Sequence, residues 1–194
     1  MASILVGGQA KNVGKTTLVC NIIAAFPRFG WDAAKVTNHQ HNAAGCELRA
    51  EGTSWSVFEQ TSTAVESDTS RFLRSGAQRA WLIQAEDVAL EEAYASLRKM
   101  LTGSNLIVES TRVGVGLEPD LCLLVADARR SEFKPSAQEQ LGAVDAIIWR
   151  EMPETLPSDI ALPLRDKPSF PAMPGRLDVN LAALVRAKLR APTD

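Results

Sequence analysis

Apolar residues follow two rhythms along this chain: short continuous runs, and stretches in which they recur every three or four positions. Ile4-Leu5-Val6 is the first run, and behind it Leu18, Val19, Ile22, Ile23 and Phe26 fall on one face of a helix. Pro27 stops that helix, and Arg28 to Asp32 turns the chain into a second strand over 33–37. Trp55 and Val57 mark a short extended segment. Asp68 to Gly76 reads as a short helix with Asp68 as its N-cap, and 80–84 as a strand. Over 87–101, Leu90, Ala93, Tyr94, Leu97 and Leu101 share one helical face. Leu106-Ile107-Val108 and Leu121 to Ala126 are apolar without alternation, the mark of strands buried on both faces. A short helix over 135–141 and a last central strand over 146–149 complete the series. Strands alternating with helices predict an α/β fold, a mainly parallel sheet with helices on both faces.

The texture changes after residue 150. Six of the ten prolines lie between 151 and 174, so this stretch is expected to run extended over the surface, neither helix nor sheet interior. From Asp178 helical spacing returns, with Val179, Leu181, Ala182, Val185 and Leu189 on the apolar side. The predicted organisation is one domain over 1–150, with 151–194 a connection and a C-terminal helix that packs back on it.

Composition narrows the function classes. The chain has 194 residues, 45% hydrophobic and 23% charged, enough for one domain with a substantial core. A formal charge of −2 and a pI near 5.8 argue against a broad basic surface for nucleic acid or anionic lipid. No apolar run approaches the roughly 20 residues of a membrane helix, and no secretory signal opens the chain, so a cytoplasmic location is expected. Cys20, Cys46 and Cys122 form no framework pattern.

The candidate chemistry begins where the first strand meets the first helix. Val6-Gly-Gly-Gln-Ala-Lys-Asn-Val-Gly-Lys-Thr-Thr17 has the order of a P-loop, or Walker A motif. Small residues let backbone N–H groups curl around phosphates, and the helix opening near Lys15 points its positive dipole end at the same anion. Lys15 would reach the β- and γ-phosphates, and Thr16 would offer its hydroxyl to Mg2+. Gly8, Lys11, Asn12, Val13, Gly14 and Thr17 complete the nucleotide-binding stretch. The usual spacing puts a glycine at position 9, where this chain has Gln9; counting from Gly8, the loop is one residue longer. In that length it resembles dethiobiotin synthetase and the cobyrinate amide synthetases. Lys11 does not fall where deviant P-loops carry their extra lysine, so no role across a homodimer is assigned to it. A homodimer itself stays open.

Further carboxylates and ligands follow. Asn105 to Glu109 is an apolar strand ending in a carboxylate, the form of a Walker B element, and Glu109 would bind Mg2+ through water or polarise an attacking group. Asp127 ends a similar strand and reads equally as a turn residue. Asp68 is a helix cap or, with Arg71, a group that touches metal or transferred phosphate. His39, His41 and Cys46 lie close enough for a partial metal site, with a polar substrate-facing loop as the alternative.

Several of these stretches recur together in a known group. The P-loop, Lys35-Val-Thr-Asn-His-Gln-His41, Glu66 to Ala77, Val108-Glu-Ser110, and Pro119-Asp-Leu121 leading to Phe133-Lys-Pro-Ser-Ala137 resemble the molybdopterin-guanine dinucleotide biosynthesis protein B group of P-loop NTPases. The resemblance covers about 3–150 of this sequence. It implies nucleotide binding, with GTP favoured and ATP the alternative, in support of molybdenum-cofactor maturation, with a molybdenum-cofactor enzyme or biosynthetic protein as partner. Residue by residue it carries over Lys15, Thr16, Asp68 and Glu109. Lys134 would lie along the base, as a lysine does in regulatory GTPases. No Asn-Lys-x-Asp occurs, so the sequence leaves GTP and ATP both open. Three functions are therefore carried forward: a slow Mg2+-dependent NTPase, a synthase or kinase like dethiobiotin synthetase, and a nucleotide-holding partner module. Against the second, Asn12 stands where that enzyme has Glu.

Overall fold

The computed structural model describes residues 1–38, 42–103, 105–110, 118–130, 133–153, 155 and 163–190. Strand β1 (Ala2–Gly8) sits at the centre of the sheet between β6 (Asn105–Glu109) and β7 (Leu121–Ala126), parallel to both. Outward from β6 come β2 (Trp31–Thr37), β5 (Arg79–Ala85), β4 (Trp55–Gln60) and β3 (Cys46–Gly52). Outward from β7 come β8 (Ala146–Trp149) and β9 (Ser169–Pro171). Among the described residues, only the pairings that involve β4 are antiparallel. The parallel majority needs crossover connections, and helices lie along several of them.

Two apolar layers hold the helices to the sheet. Ile4 and Val6 face α1 (Lys15–Ala25), α2 (Asp68–Arg74) and α5 (Val179–Arg186), through Val19, Ile22, Ile23, Phe72, Leu181 and Val185. Leu5, Val108 and Leu124 face the other way, onto α3 (Leu90–Arg98) and α4 (Pro135–Gln140). Adjacent residues of β1 thus supply both layers, as a strand's period of two requires.

Buried polar groups mark the corners. Asp32, fully buried, accepts from Trp81 Nε1 at 3.0 Å and from the Thr102 amide at 3.1 Å. Asn105 Nδ2 donates to the Arg190 carbonyl and its Oδ1 accepts from the Arg190 amide, both at 2.9 Å, which pins the chain after α5 to the start of β6.

The structure departs from the sequence expectations in four places. β3 was not foreseen, because a solvated edge strand of charged residues carries no apolar run; most of its residues are exposed, and its register shifts between Leu48 and Ala50. The N-cap of α2 is Ser67, whose side chain accepts from the Ser70 amide at 3.0 Å; Asp68 is the first helical residue. Residues 87–89 form a separate turn ahead of α3. Finally, β9 forms inside the proline-rich stretch, at the sheet edge and with Pro171 as its last residue, where a missing N–H costs least. Among the described residues no helix is long and apolar enough to cross a membrane.

Candidate functional site

The loop between β1 and α1 is shaped by space as much as by dihedral angles. A Cβ on Gly8 would stand 2.8 Å from Lys15 Cδ and 2.9 Å from Val13 Cγ2. The lysine stem therefore lies across bare backbone, which only glycine offers. Gly14, the N-cap of α1, has φ 106° and supplies no side-chain cap, and Asn12 has φ 61°, a region asparagine tolerates better than most residues. Val13 is buried in the α1 layer and anchors the loop from below.

Lys15 is only 9% exposed, and its Nζ donates to the Ala10 carbonyl at 3.1 Å. Burial lowers its pKa, with Glu109 pulling in the opposite direction. An ammonium held out of water in this way gains from an anion brought to it.

Gln9, which stands where the usual motif has glycine, is not part of the cradle. It is fully buried; Nε2 donates to the Arg130 carbonyl at 2.9 Å and Oε1 accepts from the Asp127 amide at 2.8 Å. Its backbone N–H donates to Val125 O at 2.9 Å, and its carbonyl accepts from the Lys134 amide at 3.1 Å. The longer loop is thus strapped to the end of β7. Asp127 belongs to the same strap: Arg129 binds its carboxylate at 3.0 Å and Arg150 lies 3.7 Å away, and these guanidiniums hold its pKa down to about 2.

Facing the loop are the carboxyl ends of β2 and β6, where parallel pairing sets Lys35 beside Glu109. Thr16 Oγ1 donates to Glu109 Oε2 at 2.7 Å. Lys35 Nζ bridges Asp68 Oδ2 and Glu109 Oε1, the latter at 3.3 Å. Arg71 closes the ring, 3.6 Å from Asp68 and donating to Thr17 Oγ1 at 3.4 Å. Burial opposes the charge on Lys35, but Glu109 and Asp68 outweigh it and raise its pKa; burial opposes Asp68 likewise, and Lys35 outweighs it and lowers the carboxyl pKa. Lys35 was not singled out in the sequence. A lysine inside an otherwise buried strand was the available signal.

These groups line a cavity of about 460 Å³ that includes Lys11, Asn12, Gly14, Lys15, Thr16 and Thr17. Four cations, Lys11, Lys15, Lys35 and Arg71, face two carboxylates, Asp68 and Glu109. A nucleoside triphosphate carries about four negative charges and a divalent cation offsets about two of them, so such a complex matches the surplus here. Thr16 Oγ1, Glu109 and Asp68 are the hard oxygens a Mg2+ would take, directly or through water.

A second cavity of about 470 Å³ continues past Asn12, Gly14 and Thr17. One wall is Leu18 and Asn21 of α1; the other is 171–178, the stretch between β9 and α5. Asn21 Nδ2 donates to the Met173 and Arg176 carbonyls at 3.1 Å, which fixes that stretch against α1. Arg150 reaches over the loop to the Asn12 carbonyl at 3.2 Å.

The remaining candidates separate. Lys134 lines neither cavity, although its charge is felt at Lys15. His39 and His41 lie outside the described residues. Cys46 donates to Gln60 Oε1 at 3.2 Å, and among the described residues no cluster of three or more His, Cys, Asp or Glu could hold a metal ion.

No protein-family model matches this chain, and no curated protein matches it by sequence. Solved structures do match. LpxK from Aquifex aeolicus, solved with ATP, is 15% identical with a TM-score of 0.52, over 88% of this chain and 53% of that one. The Zn(II)-bound YjiA GTPase from E. coli is 17% identical with a TM-score of 0.53, over 94% of this chain and 60% of that one. The fold is that of the P-loop NTPases. This P-loop chain spans little more than half the length of those two proteins. Bacillus subtilis MobB is 19% identical and is matched along 98% of this chain and 99% of its own, with a TM-score of 0.44.

Proposed function

We propose that this P-loop protein binds a nucleoside triphosphate with Mg2+ and hydrolyses it slowly, as an accessory factor in molybdenum-cofactor assembly. The observation that carries the nucleotide reading is the Lys15 stem laid across Gly8, beside the Thr16–Glu109 hydrogen bond of 2.7 Å. In this reading the triphosphate lies along the loop, with Lys15 and the first-turn N–H groups of α1 on its oxygens. Thr16 holds the metal, and Glu109 and Asp68 act through its water shell. The nucleoside half extends into the cavity between α1 and 171–178, with Arg150 at its side. Catalysis there is positioning and charge neutralisation, without a covalent step by the protein.

The molybdenum-cofactor role rests on the sequence resemblance over about 3–150, and GTP is the nucleotide that resemblance favours. Fluorescent GTP and ATP analogues, titrated into wild type and Lys15→Ala with Mg2+ present, test the first step. Lys15→Ala weakens binding about tenfold or more, since a charge-assisted contact to phosphate is lost. Unchanged affinity in that variant would sink the nucleotide reading. Phosphate release that needs a small acceptor would favour a synthase over an accessory NTPase.

A further inference from the structure

Lys35 lies where two demands on the same carboxylates meet. Parallel pairing sets it beside Glu109, and its side chain is 21% exposed, toward the phosphate cavity that it lines. Its Nζ donates to Asp68 Oδ2 and, at 3.3 Å, to Glu109 Oε1. Thr16 Oγ1 donates to Glu109 Oε2 at 2.7 Å, and Arg71 stands 3.6 Å from Asp68 Oδ1. Each of the four carboxylate oxygens therefore already faces a donor or a cation. Burial opposes the charge on Lys35, but Glu109 and Asp68 raise its pKa, so the group between them stays an ammonium.

These are the oxygens that a Mg2+ would take. Each keeps a second lone pair, but with metal–oxygen contacts of about 2.1 Å a dication there would stand about 4 Å from the Lys35 nitrogen. Like charges at that distance repel strongly in a partly buried site. The cavity adds to the repulsion, because Lys11, Lys15, Lys35 and Arg71 outnumber Asp68 and Glu109 by two charges. A triphosphate, with about four negative charges, reverses that balance. It also supplies the ligands two carboxylates lack, since Mg2+ is usually held by one or two carboxylates together with substrate phosphates.

We propose that Lys35 is the resident counter-ion of the metal-binding carboxylates. It keeps a divalent cation away from Asp68 and Glu109 until a triphosphate is present; when the metal then takes them, the released ammonium moves onto the terminal phosphate. Metal and triphosphate thereby strengthen each other's binding, and a diphosphate, which lacks the terminal group, gains nothing from Lys35. The move onto phosphate rests on the nucleotide reading above. The exclusion of a free metal ion rests on the carboxylate contacts alone.

The test uses Mn2+ in place of Mg2+, its free fraction read by electron paramagnetic resonance, in the full chain alone, with a nucleoside diphosphate and with a non-hydrolysable triphosphate. Wild type alone is expected to hold Mn2+ weakly. Lys35→Met alone holds it about tenfold or more tightly than wild type does, and adding Glu109→Gln removes the gain. Lys35→Arg, which keeps the charge, stays as weak as wild type. With Mg2+ present, the preference for triphosphate over diphosphate falls about tenfold in Lys35→Met, which a merely structural lysine would not cause. Thermal midpoints show that each variant is folded. Tight Mn2+ binding by wild type without nucleotide overturns the proposal and needs no variant. So does a folded Lys35→Met that holds Mn2+ no better than wild type, or one that keeps the full preference for triphosphate. If Lys35→Met gains Mn2+ affinity while no form of the protein binds nucleotide, the nucleotide reading falls and the metal exclusion stands. If wild type binds nucleotide and Lys35→Met leaves Mn2+ affinity unmoved, the role of Lys35 falls alone.

Discussion

The two ends of the cleft proposed for the nucleotide are built in opposite ways. The phosphate end comes from one contiguous stretch, 8–17, closed by residues at strand ends, and it is dense in charge. The end assigned to the nucleoside is walled by α1 and, more than a hundred residues further along the chain, by Arg150 and 171–178, and is held by a few hydrogen bonds such as those from Asn21 to the Met173 and Arg176 carbonyls. A contiguous loop can be specified by local backbone rules, and its failure is abrupt. A wall assembled from distant pieces depends on packing, and its failure is gradual.

Gly8→Val is the sharpest way to test that contrast. The added branches must displace the Lys15 stem, which a Cβ alone would already meet at 2.8 Å. Triphosphate affinity should fall about a hundredfold or more, with stability reduced by about 1–3 kcal/mol from overpacking. A stable variant of normal affinity would remove the steric basis of the cradle. Nucleotide titration and urea unfolding measure both.

Lys35→Met probes the same end through its charges. It leaves Asp68 and Glu109 facing each other without the lysine between them, Asp68 keeping Arg71 at 3.6 Å; the first has its side chain 32% exposed and the second 5%. The expected loss is about 1–3 kcal/mol, discounted from a fully buried pair because Asp68 and Lys35 are partly solvated. Lys35's pKa lies above its ordinary 10.5, so its contribution is present below that value and fades as pH rises past it. Asp68's pKa lies below its ordinary 3.8, so its contribution is present above that value and fades as pH falls. The gap between variant and wild type should therefore be flat between those limits and narrow outside them, as urea midpoints across pH would record.

Arg150→Ala is expected to have the smallest effect. It removes a partly exposed guanidinium from the nucleoside wall and one hydrogen bond to the Asn12 carbonyl. Affinity should fall about three- to tenfold, by the same factor for mono-, di- and triphosphates. A loss that grew with the number of phosphates would move Arg150 to the other end of the cleft.

Much of the phosphate end could be read from sequence, because glycine spacing and Gly-Lys-Thr report local backbone demands. Continuous apolar runs marked β6 and β7 for the same reason. Three features could not be read in this way. Gln9 looked like a defect in the motif, and only its bonds to Arg130 and Asp127 reveal a strap. Lys35 had no motif of its own; its meaning comes from lying across from Glu109 in a parallel pair. β3 and β9 escaped because an exposed edge strand need not be apolar, and one ending in proline breaks no hydrogen bond.

By itself the sequence determined the order of the helices and of the strands other than the edge strands β3 and β9, the P-loop stretch and the carboxylate that closes β6, since each depends on periodicity or on residues adjacent in the chain. Tertiary structure alone decided which strands became neighbours. It thereby decided that Lys35 joins Asp68 to Glu109, that 171–178 walls a cavity with α1, and that Gln60 ties Ser67 and Thr69 to the Gly45 carbonyl. The physical reason is range: backbone conformation and amphipathicity act over a few residues, whereas charge pairing and cavity shape depend on where the sheet brings distant residues.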